Sequence, residues 1–390
     1  MKFGTYTFLV IILLLFFSCK KEEGCMDPSA LNYNTDAEID NGSCSYEITG
    51  NIVGCIDPLA LNYNPEATID NESCIYFSNT PYVIETPYGF PNMNIPSDNP
   101  MTVEGVFLGE KLFKDPILSA NNTQACINCH QQNFSFSDPN QFSTGIDNIQ
   151  GNRNASALIN LGWNTSFNWD GSSLTLEEQA FEPVTNSIEM HNTWMNVELE
   201  LNSHSDYPFL FKQAFNINYI DSNHIAKAIA QFERTLISTN SKLDRYLKNE
   251  EQLTISELNG YAIFNTEKGD CFHCHSTNMF MDNLFHNNGL DIEPFIDIGR
   301  AKVTSNPSDN GKFKTPTLRN VEMTAPYMHD GRFATLEEVV EHYDSGGKYS
   351  TTVDPLMKKL GVGLQLSNQE KKDLVAYLKT LTDNEFIGSD

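Results

Sequence analysis

The sequence predicts a mainly α-helical protein, with two small helical domains preceded by two short, disulfide-stapled repeats. Three observations predict it. Apolar residues downstream of residue 100 recur at helical spacing behind helix-capping residues, and the strict alternation of a half-buried strand is scarce. A C-x-x-C-H motif occurs once in each prospective domain, CINCH at 126–130 and CFHCH at 271–275. Residues 24–46 and 54–76 align at a period of 30, with 16 of 23 positions identical, which marks an internal repeat. A chain of 390 residues has the length for several cores, so a single small domain is excluded.

Acidic residues outnumber basic ones 51 to 25, and no run of Lys and Arg matches what a phosphate backbone requires. Nucleic acid is therefore not an expected partner. The acidic surface serves as a solvated face, with attraction of a basic redox partner as the alternative.

The first element, residues 1–18, has a lysine, an apolar run from Phe8 to Phe17 and a small residue ahead of Cys19. It reads as a lipoprotein signal peptide, because the run is shorter than the roughly 20 residues that span a bilayer. Cleavage before Cys19 leaves that cysteine to take lipid, so the membrane is met through the anchor alone. An exported lipoprotein on the periplasmic or cell-surface side of the outer membrane is expected; a soluble secreted protein is the alternative.

The repeats come next. Four cysteines allow three pairings, and repeat symmetry favours Cys25 with Cys44 and Cys55 with Cys74. Each bridge contributes roughly 3 kcal/mol on the chain-entropy model, which a unit this small needs because it cannot bury enough apolar surface. Asp40 and Asp70 could hold calcium with nearby carbonyls, but Asp-Asn at a turn is more often turn chemistry. Residues 79–100 contain five prolines and are expected to be an extended linker rather than a packed element.

Two domains follow, 101–250 and 251–390. In C-x-x-C-H the two thiols add to haem vinyl groups and the histidine becomes an axial iron ligand. This assigns Cys126, Cys129 and His130 to one c-type haem and Cys271, Cys274 and His275 to another; His273 between the second pair of thiols is a spacer. A zinc site made of two C-x-x-C knuckles is the alternative, and it leaves the histidine after each knuckle unexplained. Ser222 stands ahead of the periodic run HIAKAIAQFERTLI, and Thr335-x-x-Glu338 and Ser367-x-x-Glu370 are capping boxes. Two cytochrome c-like haem domains are the expected result, each wrapped round its cofactor.

Longer motifs add to this. LGEKLFKDPILS (108–119), GNRN (151–154), WDG (169–171), EQAFEPVTNSIEMH (178–191) and KTPTLRNVEMTAPYMHDGRFATLEE (314–338) stand in one order along the chain. Through them residues 95–385 resemble the bacterial di-haem cytochrome c peroxidase and MauG family. The resemblance implies that His130 is the proximal ligand of a peroxide-binding haem and His275 that of an electron-handling haem. It places Trp169 between the haems, and Gln179, Pro183 and Glu189 in the distal pocket. It also implies one calcium ion held at Asn154, Thr324 and Pro326. Heterolysis of the O–O bond of hydrogen peroxide needs a proton moved from one oxygen to the other, which suits a single carboxylate, and Glu189 is the candidate.

The chain departs from the family pattern in two places. The histidine that some members carry in the loop after the first haem is replaced by Ile146, so the first iron is expected to be open at rest. Where classical peroxidases offer a methionine, 14 residues beyond the histidine of APYxH, this chain has Tyr343. In the helix opened by Thr335, Leu336, Val339, Val340 and Tyr343 share one stripe, whereas His342 lies about 100° away. Tyr343 is therefore expected to be the sixth ligand of the second iron, with Met328 as the alternative.

The expected function is reduction of hydrogen peroxide to water with electrons from a small cytochrome, a cupredoxin or another periplasmic donor. A MauG-like enzyme that uses peroxide to oxidise a protein or small organic substrate is one alternative, and a non-enzymatic di-haem electron carrier is another. A homodimer is compatible with this organisation.

Overall fold

The computed structural model describes residues 21–46, 52–58, 60–77 and 79–388. The expected signal peptide and Cys19 lie outside the described residues. Among the described residues no helix is long and apolar enough to cross a membrane. The chain divides into two compact units after Cys74.

The smaller unit carries the repeats. In each, two two-residue strands pair in parallel: β1 (Glu23–Gly24) with β2 (Ile39–Asp40), and β3 (Val53–Gly54) with β4 (Ile69–Asp70). Disulfides join Cys25 to Cys44 and Cys55 to Cys74, as repeat symmetry predicts. The half-cystines Cys25 and Cys55 are each 1% exposed, so the bridge is most of the core that so short a segment can bury. Asp40 and Asp70 accept from the backbone N–H of Gly42 and Glu72, the hydrogen bond expected of turn chemistry.

The larger unit is mainly helical. Its first part holds α1 (Val103–Lys114), α2 (Leu176–Gln179), α3 (Phe181–Thr185), α4 (Trp194–Ser203), α5 (Tyr207–Phe215) and α6 (Ser222–Arg234). Its second part holds α7 (Lys242–Leu247), α8 (Ile255–Phe264), α9 (Ala301–Thr304), α10 (Leu336–Asp344), α11 (Asn368–Lys379) and α12 (Asn384–Ile387). A short antiparallel pair, β5 (Phe285–His286) with β6 (Phe313–Lys314), lies between α8 and α10. The capping boxes at Thr335 and Ser367 form as expected. At α6 the cap is Asp221, one residue earlier than the sequence suggested, and Ser222 is already helical. A carboxylate oxygen accepting the His224 N–H takes the place of the serine.

The same packing device appears in both parts. α1 crosses α6 at Gly109, where a Cβ would collide with the carbonyl of Ala228, and α8 crosses α11 at Gly260, where it would collide with the carbonyl of Asp373. Glycine lets the backbones touch, so each helix pair can close one wall of a small domain around an internal space. Leu108, Leu112, Val197, Phe211 and Ile225 build the first core; Leu243, Phe264, Val340, Leu374 and Leu381 build the second. The cores change over ahead of α7, because Leu243 packs in the second and Arg319 clasps Asp244 with two hydrogen bonds. α12 returns to the first part, where Phe386 meets Phe136 with ring centroids 5.5 Å apart.

The proline-rich segment is extended but not free. Phe90 is buried against Trp163, with ring centroids 5.1 Å apart, and lies under the guanidinium of Arg319. Trp163 Nε1 donates to the Pro91 carbonyl at 2.8 Å and Asn278 Nδ2 to that of Tyr88 at 3.3 Å. The segment thus straps both helical parts, an apolar anchor that proline content alone does not announce.

Candidate di-haem site

The two C-x-x-C-H loops open into one continuous cavity of about 1430 Å³ inside the larger unit. That exceeds the roughly 300–1,000 Å³ of an ordinary small-ligand pocket. Each loop is a short 3-10 turn, Cys126–Asn128 and Cys271–His273, which places both sulfurs and the following imidazole on the cavity wall. His130 Nδ1 lies 3.0 Å from the Phe136 carbonyl, and His275 Nδ1 lies 2.8 Å from the Phe280 carbonyl. A carbonyl can only accept, so Nδ1 carries the proton in each ring and Nε2 presents a lone pair, the tautomer an axial ligand needs. Burial pulls the pKa of both imidazoles down, which keeps them neutral.

The first lobe is closed by α1, α2, α3 and the loop that follows α3. Leu118, Leu176, Val184, Met190 and Ile229 line it, together with Gln179, Pro183 and Glu189. Glu189 is held by Asn186, whose Nδ2 donates to the carboxylate at 2.7 Å. Burial, seconded by the charge of Glu182, raises its pKa, and the Asn186 bond only partly opposes this. Ile146 stands outside this lobe's lining, its N–H bonded to the Glu189 carbonyl at 3.0 Å. The histidines that line the cavity are His130, His275, His286 and His329.

Trp169 lies where the lobes join. Its Nε1 donates to the Asn154 carbonyl at 2.8 Å and its own carbonyl accepts from Lys314 N–H at 2.8 Å, so both helical parts hold it. Beside it Arg153 pairs with Asp170 and with Asp297, each at 2.6 Å, and Asn154 N–H donates to the His329 carbonyl at 2.7 Å. Asn154, Thr324 and Pro326 all line the cavity here; the Asn154 amide nitrogen is spent on the carbonyls of Asn140 and Gln141.

In the second lobe the α10 stripe faces the cavity: Leu336, Val339, Val340 and Tyr343 all line it. His342 instead donates from Nε2 to the Asn288 carbonyl, 3.1 Å away, outside the lining. The Tyr343 hydroxyl receives a hydrogen bond from Asn288 Nδ2 at 3.2 Å, and the same amide reaches the Met328 sulfur at 3.5 Å. Tyr343 and Met328 are therefore brought to one spot. Burial pushes the Tyr343 phenol up to about 12, and the Asn288 donor works against that shift.

Both lobes fit a c-type haem. The wall is largely apolar, the four cysteines are outside any disulfide, and several buried polar atoms of the lining lack a partner among the described residues: Asn164 Oδ1, Ser166 Oγ and Glu233 Oε2. Burial raises the Glu233 pKa to about 8. Sequence reasoning missed Glu233, Asn288, Arg153 and Lys314; each acquires its meaning only from neighbours far along the chain.

A helical fold with two such loops on one cavity defines a c-type di-haem protein, and comparison with known proteins agrees. The model of the di-haem cytochrome c peroxidase family matches residues 103–252. The chain is 38% identical over 288 residues to the methylamine utilization protein MauG of Methylorubrum extorquens, covering 73% of this chain and 80% of that protein. It is 34% identical over 301 residues to the cytochrome c551 peroxidase of Nitrosomonas europaea, covering 76% and 85%. The crystal structure of a MauG-like protein associated with microbial copper homeostasis superposes with a TM-score of 0.74 at 35% identity, covering 78% of this chain and 97% of that one. The chain belongs to the di-haem cytochrome c peroxidase and MauG family, and that membership implies two haems.

Proposed function

We propose that the protein is an exported di-haem peroxidase that reduces hydrogen peroxide to two waters, taking two electrons and two protons per turnover. The observation that carries this reading is the half-buried Glu189 carboxyl, set on the wall of the first lobe by a donor from Asn186. His130 would hold the haem of that lobe and His275 the haem of the other. The haems supply redox equivalents and an electrophilic centre for peroxide. Glu189 accepts a proton from one oxygen of the substrate and returns it to the departing oxygen, a role worth roughly 10²–10⁴ in rate. Asn186 orients the carboxylate, while Gln179 and Pro183 shape the space in which peroxide turns. Trp169 offers its indole to electrons exchanged between the lobes. Asn154, Thr324 and Pro326 would offer hard oxygen atoms of the kind calcium takes, at the junction of the lobes.

A second reading is favoured by Tyr343. A phenolate on the second iron stabilises ferric and higher states, whereas a thioether from Met328 would favour the ferrous form. Tyrosine ligation would suit a MauG-like enzyme that passes oxidising equivalents to an outside protein or organic substrate. Steady-state turnover with a reduced small cytochrome or cupredoxin tests the first reading: two donors oxidised per peroxide support it. Peroxide consumption that ignores both donors and needs an oxidisable substrate would transfer support to the second.

A further inference from the structure

Lys314 is 8% exposed and lines the cavity at the second lobe. Among the described residues its ammonium hydrogen-bonds the Met281 sulfur at 3.9 Å, too soft and too distant to balance a buried charge. Asp282 is the carboxylate that acts on it through space, but Asp282 is already engaged by His286 at 2.7 Å and by the Leu284 N–H at 2.9 Å. Burial pulls the ammonium down to about 8. Arg153, Arg319 and Arg332, by contrast, each meet carboxylates directly. A cation sunk in the wall without a directly paired anion among the described residues is suited to an anion that enters the cavity.

We propose that Lys314 is the counter-ion for a carboxylate of the haem carried by Cys271, Cys274 and His275. Haem brings carboxylates of its own, and this side chain belongs to the lobe that the second attachment loop opens. The strand that supplies Lys314 also bonds to Trp169, through the Lys314 N–H and the Trp169 carbonyl at 2.8 Å. One residue thereby sets both the carboxylate edge of the second haem and the main chain of the indole between the lobes. Lys314 is a positioning residue, and its fixed positive charge favours the reduced form of that haem.

The inference rests on the di-haem reading but not on the identity of the donor or of the sixth ligand. Potentiometric titration of holoprotein variants tests it. Lys314→Met should lower the midpoint of one haem by about 59 mV, a tenfold change in its reduction equilibrium, and leave the other unmoved. Lys314→Arg should keep the wild-type value. Two attached haems with unchanged midpoints in Lys314→Met, or an equal shift in Lys314→Arg, would overturn the proposal. Resonance Raman spectra of the wild type in H₂O and D₂O supply a reading independent of either variant. A carboxylate mode of the second haem that moves on deuteration supports the ammonium contact, and a mode indifferent to it refutes the contact. A failed haem count would instead strike the di-haem reading itself.

Discussion

Replacing Glu189 by glutamine isolates the proton-transfer role from everything else the residue does. The amide keeps an oxygen to accept from Asn186 Nδ2, which lies 2.7 Å from the native carboxylate, so the loop geometry survives. It also removes a charge that burial and Glu182 both disfavour, so folding and haem attachment are not weakened. What disappears is the ability to take and return a proton, a loss of roughly 10²–10⁴ in rate, or about 2.7–5.4 kcal/mol of barrier. Stopped-flow mixing with hydrogen peroxide gives the second-order constant from the change in the haem spectrum. The raised pKa of Glu189 adds a pH signature: the base form fails at a higher pH than for a free glutamate, so the wild-type constant declines on the acid side. The Glu189→Gln variant should be slow and flat there. An unchanged constant, or an acid limb that persists in the variant, would show that the proton travels by another route.

Tyr343→Phe is expected to change the optical spectrum and raise the potential of one haem only, because a hard anionic ligand is lost. An unaltered spectrum, or a wild type that already shows the near-infrared band of His/Met iron, would assign the position to Met328. Arg153→Met leaves Asp170 and Asp297 facing each other without their cation, and should cost about 3 kcal/mol in denaturant unfolding; a loss below the error of the measurement would mean the network is already solvated. The Glu233 carboxyl titrates near 8 when folded against an ordinary 4.5, so its stabilising proton is fully present below about pH 4.5 and is lost as pH rises through 8. Glu233→Gln should therefore gain on the wild type by about 2–4 kcal/mol between pH 6 and pH 8; parallel stability profiles would contradict that burial.

What could be read from the sequence was what lies in one contiguous stretch. C-x-x-C-H carries its own chemistry at fixed spacing, and the capping boxes at Thr335 and Ser367 are local hydrogen-bond exchanges, so both were visible before any tertiary contact was known. The α10 stripe was legible for the same reason, since helical period alone places Tyr343 with Leu336 and Val340. Glu189 stood out only through resemblance, because nothing local separates one acid from 50 others until Asn186 and the lobe surround it. Lys314 and Asn288 were invisible: their partners, Trp169 and Tyr343, are brought to them by the fold. The proline-rich segment misled in a different way. Prolines set its extended backbone, but Phe90 decides that it docks, through a ring inserted between Trp163 and Arg319.

The most direct test of the account is the combined optical and EPR spectrum of the oxidised protein, followed by titration with hydrogen peroxide. Two covalent haems per chain are predicted. One should be high-spin with a position open to ligand and should react with stoichiometric peroxide; the other should be six-coordinate. Two six-coordinate low-spin irons, inert to peroxide even after reduction, would contradict the account and make the protein a plain electron carrier.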